Sequence, residues 1–225
     1  MPRIARMIAV DFPHHVVQAG NNRNKVFFDE KDMLIYLGLL KKYTEKWVCP
    51  VLAYCLMPDH VHLLVKPSED SSLSKTMQGI TLCYTQYINK KYNKSGRLWG
   101  SRYYSCIVDK ENYLWTVARY IEQDPIRLGI VNKEEDYPYS SAKAHITGMA
   151  DKILGEEIFG EEGRREYADF LYSHVSDEEI KKIRYTVRSN FPFGNETFVK
   201  VIGQSLGINL IKQPRGRPRK KPNLQ

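Results

Sequence analysis

His60 and His62 stand on either side of Val61 in the stretch Tyr54-Cys55-Leu56-Met57-Pro58-Asp59-His60-Val61-His62-Leu63-Leu64-Val65. Val51 to Met57 is almost continuously apolar, Pro58-Asp59 is turn chemistry, and His60 to Lys66 alternates. This predicts two strands joined by a tight turn. Side chains on a strand alternate faces, so the two imidazoles share one face while Val61, Leu63 and Val65 turn to a core on the other. Two imidazoles side by side are half of a divalent-metal site, although two unliganded imidazoles would read the same. A carboxylate as third ligand would suit Mg²⁺ or Mn²⁺. Asp124 is the first candidate, since it ends a predicted helix that could sit over the sheet. Asp59 is the second, but the turn already gives it a structural task.

Tyr120 lies four residues before Asp124, a spacing that projects both side chains from one helix face. The chain has 15 tyrosines, so only this company singles Tyr120 out. A phenol with a pKa of ~10 needs help to act as a nucleophile at neutral pH. A metal that polarises a phosphate lessens that need. Arg23, Lys25, Arg97, Arg102, Arg119 and Arg127 flank these positions in sequence and could hold phosphates, though each alone also fits a solvated surface. Trp99, Tyr103 and Tyr104 could stack on exposed bases or belong to the core. Arg215-Gly216-Arg217-Pro218-Arg219 resembles the AT-hook core, in which an extended Arg-Gly-Arg lies in a narrow A·T minor groove; a generic basic tail is the alternative.

The elements that must position these groups follow from periodicity. His14 to Ala19 predicts a strand, and Gly20 to Lys25 a polar, basic loop. Asp29 predicts the cap of a helix running to about Lys46, with the apolar stripe Met33, Leu34, Leu37 and Leu40. Ser71-Ser72 predicts the cap of a second helix to about Tyr92, with Leu73, Met77, Ile80, Tyr84 and Ile88 on one face. Tyr104 to Val108 predicts the fourth strand. The order β-α-β-β-α-β predicts an α+β, ferredoxin-like core whose antiparallel sheet carries both helices on one face. The other face would stay open, with His60 and His62 on it. Asp109 predicts the cap of a further helix, Lys110 to Gln123, bearing Tyr120, and Pro125 disfavours helix at Asp124. Beyond about Thr147 the chain turns more polar, with short helices at 167–173, 177–188 and 196–206. We therefore expect a catalytic domain at 1–147, a small helical C-terminal region at 148–211 and a basic tail at 212–225.

A chain of 225 residues with 42% hydrophobic residues can bury a real core. Its net charge of +8 and pI near 9.2 favour a polyanionic partner. No apolar run is long enough to cross a membrane, no signal-like apolar segment follows the first residues, and the four cysteines show no paired spacing. These features suggest a cytoplasmic protein with inert thiols.

Several segments, taken in order, resemble the REP-associated tyrosine transposases, which belong to the single-tyrosine branch of the HUH (His-hydrophobic-His) nucleases. They are Pro13 to Arg23 (with Asn21 and Asn22) and Val26-Phe27-Phe28; Tyr54 to Val65; Leu98 to Tyr103; Arg119 to Val131; and Tyr137 to Ala142. The resemblance implies a ferredoxin-like core, Tyr120 as nucleophile, and a divalent ion on His60, His62 and Asp124. The family usually has Asn at that last position, and Asp adds negative charge. It implies cleavage and strand transfer of single-stranded DNA at palindromic hairpin repeats through a 5′-phosphotyrosine link. With the basic and aromatic positions above, the expected DNA contacts are Asn21, Asn22, Arg23, Lys25, Arg97, Trp99, Arg102, Arg119, Arg127, Arg215, Arg217 and Arg219. A homodimer would let Tyr120 act in cis or in trans. The competing readings are a non-catalytic nucleic-acid module of the RNA-recognition type, a domesticated repeat-binding protein, and a two-His-one-carboxylate hydrolase or oxygenase.

Overall fold

A computed structural model describes residues 6–210. Arg215, Arg217 and Arg219 of the basic tail lie outside the described residues. Strand β1 (His14–Ala19) is followed by helix α1 (Glu30–Lys46), the hairpin β2 (Val51–Met57) and β3 (His60–Val65), helix α2 (Ser72–Lys91) and strand β4 (Tyr104–Ile107). The sheet order is β2-β3-β1-β4 and every pairing is antiparallel, which is the expected ferredoxin-like arrangement. The expected cap of α1 is present, because Asp29 accepts from the Asp32 backbone N–H at 3.0 Å while Asp32 reaches back. Ser71 precedes α2 but makes no side-chain cap bond.

One face of the sheet carries Val16, Tyr54, Leu56, Val61, Leu63 and Val65 against α1 and α2. The predicted α2 stripe of Leu73, Met77, Ile80, Tyr84 and Ile88 is fully buried there. The α1 stripe needs a correction: Leu34 is 61% exposed, and Tyr36 faces the sheet in its place. A helix with apolar residues at 33, 34, 37 and 40 has two possible edges to its stripe, and packing against Phe27 and Tyr84 selects the one through Tyr36.

The second face is not open, contrary to expectation. Helix α3 (Leu114–Glu122) lies over β2 and β3, with α4 (Asp124–Arg127) directly after it. After α5 (Ala142–Thr147), helices α6 (Gly163–Tyr172) and α7 (Asp177–Ser189) complete the cover, and α8 (Glu196–Ser205) packs near the N-terminal segment. Ala53, Cys55, Met57, Leu64 and Cys106 would otherwise leave an apolar sheet face in water; Val117, Ile121, Tyr167, Leu171, Ile183 and Val187 bury it. The tyrosine-bearing helix also begins later than predicted, at Leu114. Asp109 is used in the preceding turn, accepting from the Glu111 N–H and the Asn112 amide. Pro125 does not stop the chain but sits in the first turn of α4, where a missing N–H costs nothing. No helix among the described residues is long and apolar enough to cross a membrane.

His14 is buried in β1, where its Nδ1–H donates to the Phe12 carbonyl and its Nε2 accepts from the Ala9 N–H. Burial lowers its pKa from 6.5 to about 4. The unfolded chain therefore takes up this proton first, so stability is full above pH 6.5 and falls as the pH drops toward 4. Urea titrations should show a loss of about 3 kcal/mol over that window attributable to His14. His14→Asn should flatten this part of the profile.

Candidate active site and metal centre

Register brings the ligands together. His60 and His62 open β3 and point to the α3 face, opposite Met57 and Cys55 on β2 and Ala19 and Val17 on β1. Asp124 arrives from above at the α3–α4 junction. One ligand atom from each of His60, His62 and Asp124 lies within 4.8 Å of the others, and all three residues are buried. His60 Nε2 is 2.8 Å and His62 Nε2 is 3.8 Å from Asp124 Oδ2.

The far side of each imidazole is also occupied. Asp59 Oδ1 holds His60 Nδ1 at 2.5 Å, so Asp59 is placed to orient the His60 ring. His62 Nδ1 is 2.9 Å from His15 Nε2, with the two rings stacked. Both Nε2 atoms are thereby directed at Asp124, and a pocket of two imidazoles and one carboxylate could hold a divalent metal ion.

Electrostatics follow from burial and pairing. Burial works against a charged His60, but its bonds to Asp124 and Asp59 outweigh this and raise its pKa above the ordinary value. Burial would raise the Asp124 carboxyl; the His60 bond and the nearby Arg127 charge outweigh it and hold Asp124 well below the usual carboxylate range. Burial depresses His62 well below its ordinary value and His15 to about 3, so both are neutral and can offer lone pairs.

Tyr120 lies over this centre. Its ring stands edge-on to His62 at 5.6 Å and to His15 at 5.8 Å. Arg127 donates to the Tyr120 carbonyl at 2.5 Å and to Asp124 Oδ1 at 2.6 Å, with its guanidinium 4.3 Å from the centre of the Tyr120 ring. Arg184 Nε donates to the phenolic oxygen at 3.2 Å. Arg127 and Arg184 also line a cavity of about 970 Å³ bounded by 132–135 and 172–177.

The family model described as transposase IS200 like matches residues 9–124. This chain belongs to the IS200-like transposase family. A Haemophilus influenzae protein named as a candidate REP-associated tyrosine transposase is 28% identical over 112 residues, covering 45% of this chain; the aligned segment spans 63% of that relative's length. The solved structure of a REP-associated tyrosine transposase bound to a REP hairpin aligns over 71% of this chain and 94% of that one. Its TM-score of 0.56 at 16% identity is a likeness of fold. The crystal structure of a candidate transposase from Deinococcus radiodurans covers 54% of this chain and 97% of its own, with 20% identity and a TM-score of 0.38.

Within this IS200-like chain the anticipated DNA-contacting residues separate into distinct settings. Asn22, Arg23 and Lys25 are exposed and Asn21 is half-buried, in a loop clipped to the hairpin turn by Gly20 N–H to Asp59 O at 2.7 Å and Val26 N–H to Pro58 O at 2.8 Å. Gly20 is required there, since an added Cβ would meet Asn24 O at 2.1 Å. Arg97 and Arg102 are exposed near the start of β4. Two expectations need correction. Arg119 is buried, bonded to Glu179 at 2.9 Å and Ser173 at 2.6 Å, because it faces α6 and α7 and not solvent. Trp99 is in the core with Tyr36 and Tyr84, which removes its ring from any base.

His15, Arg184 and Glu122 were not anticipated. Strand parity places His15 on the ligand face once the β1–β3 register is known, which is a signal available in principle. Arg184 lies beyond the matched segment and 64 residues from Tyr120, with no sequence pattern to mark it. Glu122 is fully buried on α3 and accepts from Ser141 at 2.5 Å, His145 at 2.6 Å and Tyr167 at 2.7 Å, fixing the helix that carries Tyr120.

An ion on His62 Nε2 requires the ring proton on Nδ1, and His15 Nε2 is its acceptor. In calorimetric titrations with Mn²⁺, His15→Phe should weaken binding roughly 10-fold to 100-fold, whereas His15→Gln, which retains an acceptor, should stay near wild type.

Proposed function

We propose that this protein is a metal-dependent strand transferase acting on single-stranded DNA at palindromic repeats folded as hairpins. The observation that carries this reading is the convergence of a candidate nucleophile, Tyr120, with a two-histidine, one-carboxylate centre in one chain. Membership of a transposase family and the REP hairpin bound by the fold relative support it.

On His60, His62 and Asp124 a bound Mg²⁺ or Mn²⁺ would supply Lewis-acid polarisation of a phosphate oxygen. Tyr120 then acts as nucleophile. Its proton leaves to solvent, its oxygen bonds to phosphorus, and the bond from phosphorus to the 3′ oxygen breaks, that oxygen taking a proton from water. Arg184 holds an N–H on the phenolic oxygen, where its positive charge offsets the negative charge that develops as the proton leaves. The 5′-phosphotyrosine link keeps the phosphodiester energy, so the 3′-hydroxyl of a second strand can reverse the step without an energy-rich cofactor. We assign this chemistry to residues 1–147 and a supporting role to 148–211, with the tail at 212–225 adding charge for DNA. A purely binding module would need neither the histidines nor Tyr120, and a hydrolase would leave no adduct.

Labelled single-stranded DNA from repeats flanking the gene, incubated with protein and Mn²⁺, should give a covalent adduct on denaturing gels. EDTA or Tyr120→Phe should abolish it. Cleavage without adduct would indicate a hydrolase, and tight binding with neither would indicate a repeat-binding protein. Arg184→Gln should slow adduct formation roughly 10-fold to 100-fold, the worth of one charge-assisted hydrogen bond of ~1.5–3 kcal/mol.

A further inference from the structure

A second cleft, of about 640 Å³, lies on the outer side of β4. Four arginines line it from three separate parts of the chain: Arg6 ahead of β1, Arg97 and Arg102 in the loop before β4, and Arg188 in the last turn of α7. No Asp or Glu lines it. Arg97, Arg102 and Arg188 are exposed, and none is paired with a carboxylate among the described residues. Arg6 is braced against the protein, donating to the Tyr103 carbonyl at 2.9 Å with its guanidinium 3.7 Å from the Tyr103 ring centre. Four cations gathered without a counter-charge repel one another, and a polyanion relieves that repulsion.

The same cleft contains Tyr104, which is 45% exposed although it opens a strand. Its ring makes no aromatic or cationic contact among the described residues, unlike the buried Trp99 and Tyr103 beside it. Register ties it to the active site. His62 and Tyr104 both stand opposite Val17, one on β3 and the other on β4. Directly opposed residues project to the same face, so the Tyr104 and His62 side chains rise from one row of the sheet. Two strand spacings, roughly 10 Å, separate their backbones.

We propose that this cleft holds the single-stranded DNA adjoining the cleaved phosphate, with the four arginines on its phosphates and Tyr104 stacked on a base. The inference rests on the DNA-processing reading for its partner. Phosphate contacts hold the strand without regard to sequence, and the stacked base sets the position of its neighbour over Tyr120. The strand would run from the metal centre past Tyr104, the first residue of β4, into the cleft.

The test is fluorescence anisotropy of the full chain in EDTA, where no strand is cut. The probes are a hairpin oligonucleotide carrying a single-stranded extension on either side and the same hairpin without extension. Wild type should bind one extended probe more tightly than the blunt one. Tyr104→Ala should weaken that probe roughly tenfold, and Tyr104→Phe should not. An Arg102→Gln/Arg188→Gln variant should weaken it as well and flatten the salt dependence by roughly 0.7 per arginine. Binding of the blunt hairpin should be unchanged, and melting temperatures will show that these exposed substitutions leave the fold intact. Equal affinities of wild type and variants for the extended probe would overturn the inference, as would an equal loss on both probes or no DNA binding at all. Adduct formation with a neutral Tyr104→Ala would sink this inference alone. Cleft-dependent binding without any adduct would sink the strand-transfer reading alone.

Discussion

The Asp124 carboxylate is only 4% exposed, and each of its oxygens has a charged or chargeable partner. Oδ2 faces His60 at 2.8 Å and Oδ1 faces Arg127 at 2.6 Å. A buried anion stripped of either partner costs about 3–5 kcal/mol, so the arrangement is strongly held. Because His60 is on the sheet and Arg127 is on the helix turn beyond Asp124, the carboxylate pins the α3–α4 junction to β3. Arg127 also bonds the Tyr120 carbonyl, so the candidate nucleophile is placed by the same arginine that pairs with Asp124.

The rest of the second layer serves that placement. A nine-residue α3 is too short to hold an orientation by itself. Glu122 fastens it through Ser141, His145 and Tyr167, Arg119 fastens it through Glu179 and Ser173, and Arg184 reaches the phenol from α7. Most of these ties come from the region after Thr147. The C-terminal helices thus close the second core and hold Tyr120 against His15 and His62 of its own chain.

Closing that core leaves the functional groups at its margin. The loop from Asn21 to Lys25 hangs beside Asp59, one cavity is lined by Arg127 and Arg184, which both contact Tyr120, and the arginine-lined cleft follows β4. Positive charge therefore lies on several sides of the candidate ligand set, an arrangement that suits a polyanion.

The residue pattern alone determined the core topology. Period-two alternation at His60–Lys66, the Pro58-Asp59 turn and the period-3.6 stripe of α2 are local facts, and a strand or helix side chain's face follows from counting. The candidate members of the centre were legible for the same reason: His60 and His62 share a strand face, and Tyr120 and Asp124 share a helical spacing. What lay across the second face was not legible, because burial of Arg119 and Glu122 depends on partners distant in sequence. Arg119 reads as a phosphate ligand until Glu179, 60 residues on, is placed beside it. His15 and Arg184 acquire meaning only when β1 pairs with β3 and α7 folds back on α3. Local spacing fixes direction along an element, but distance between elements is set by how apolar faces close on one another, and that only the tertiary structure decided.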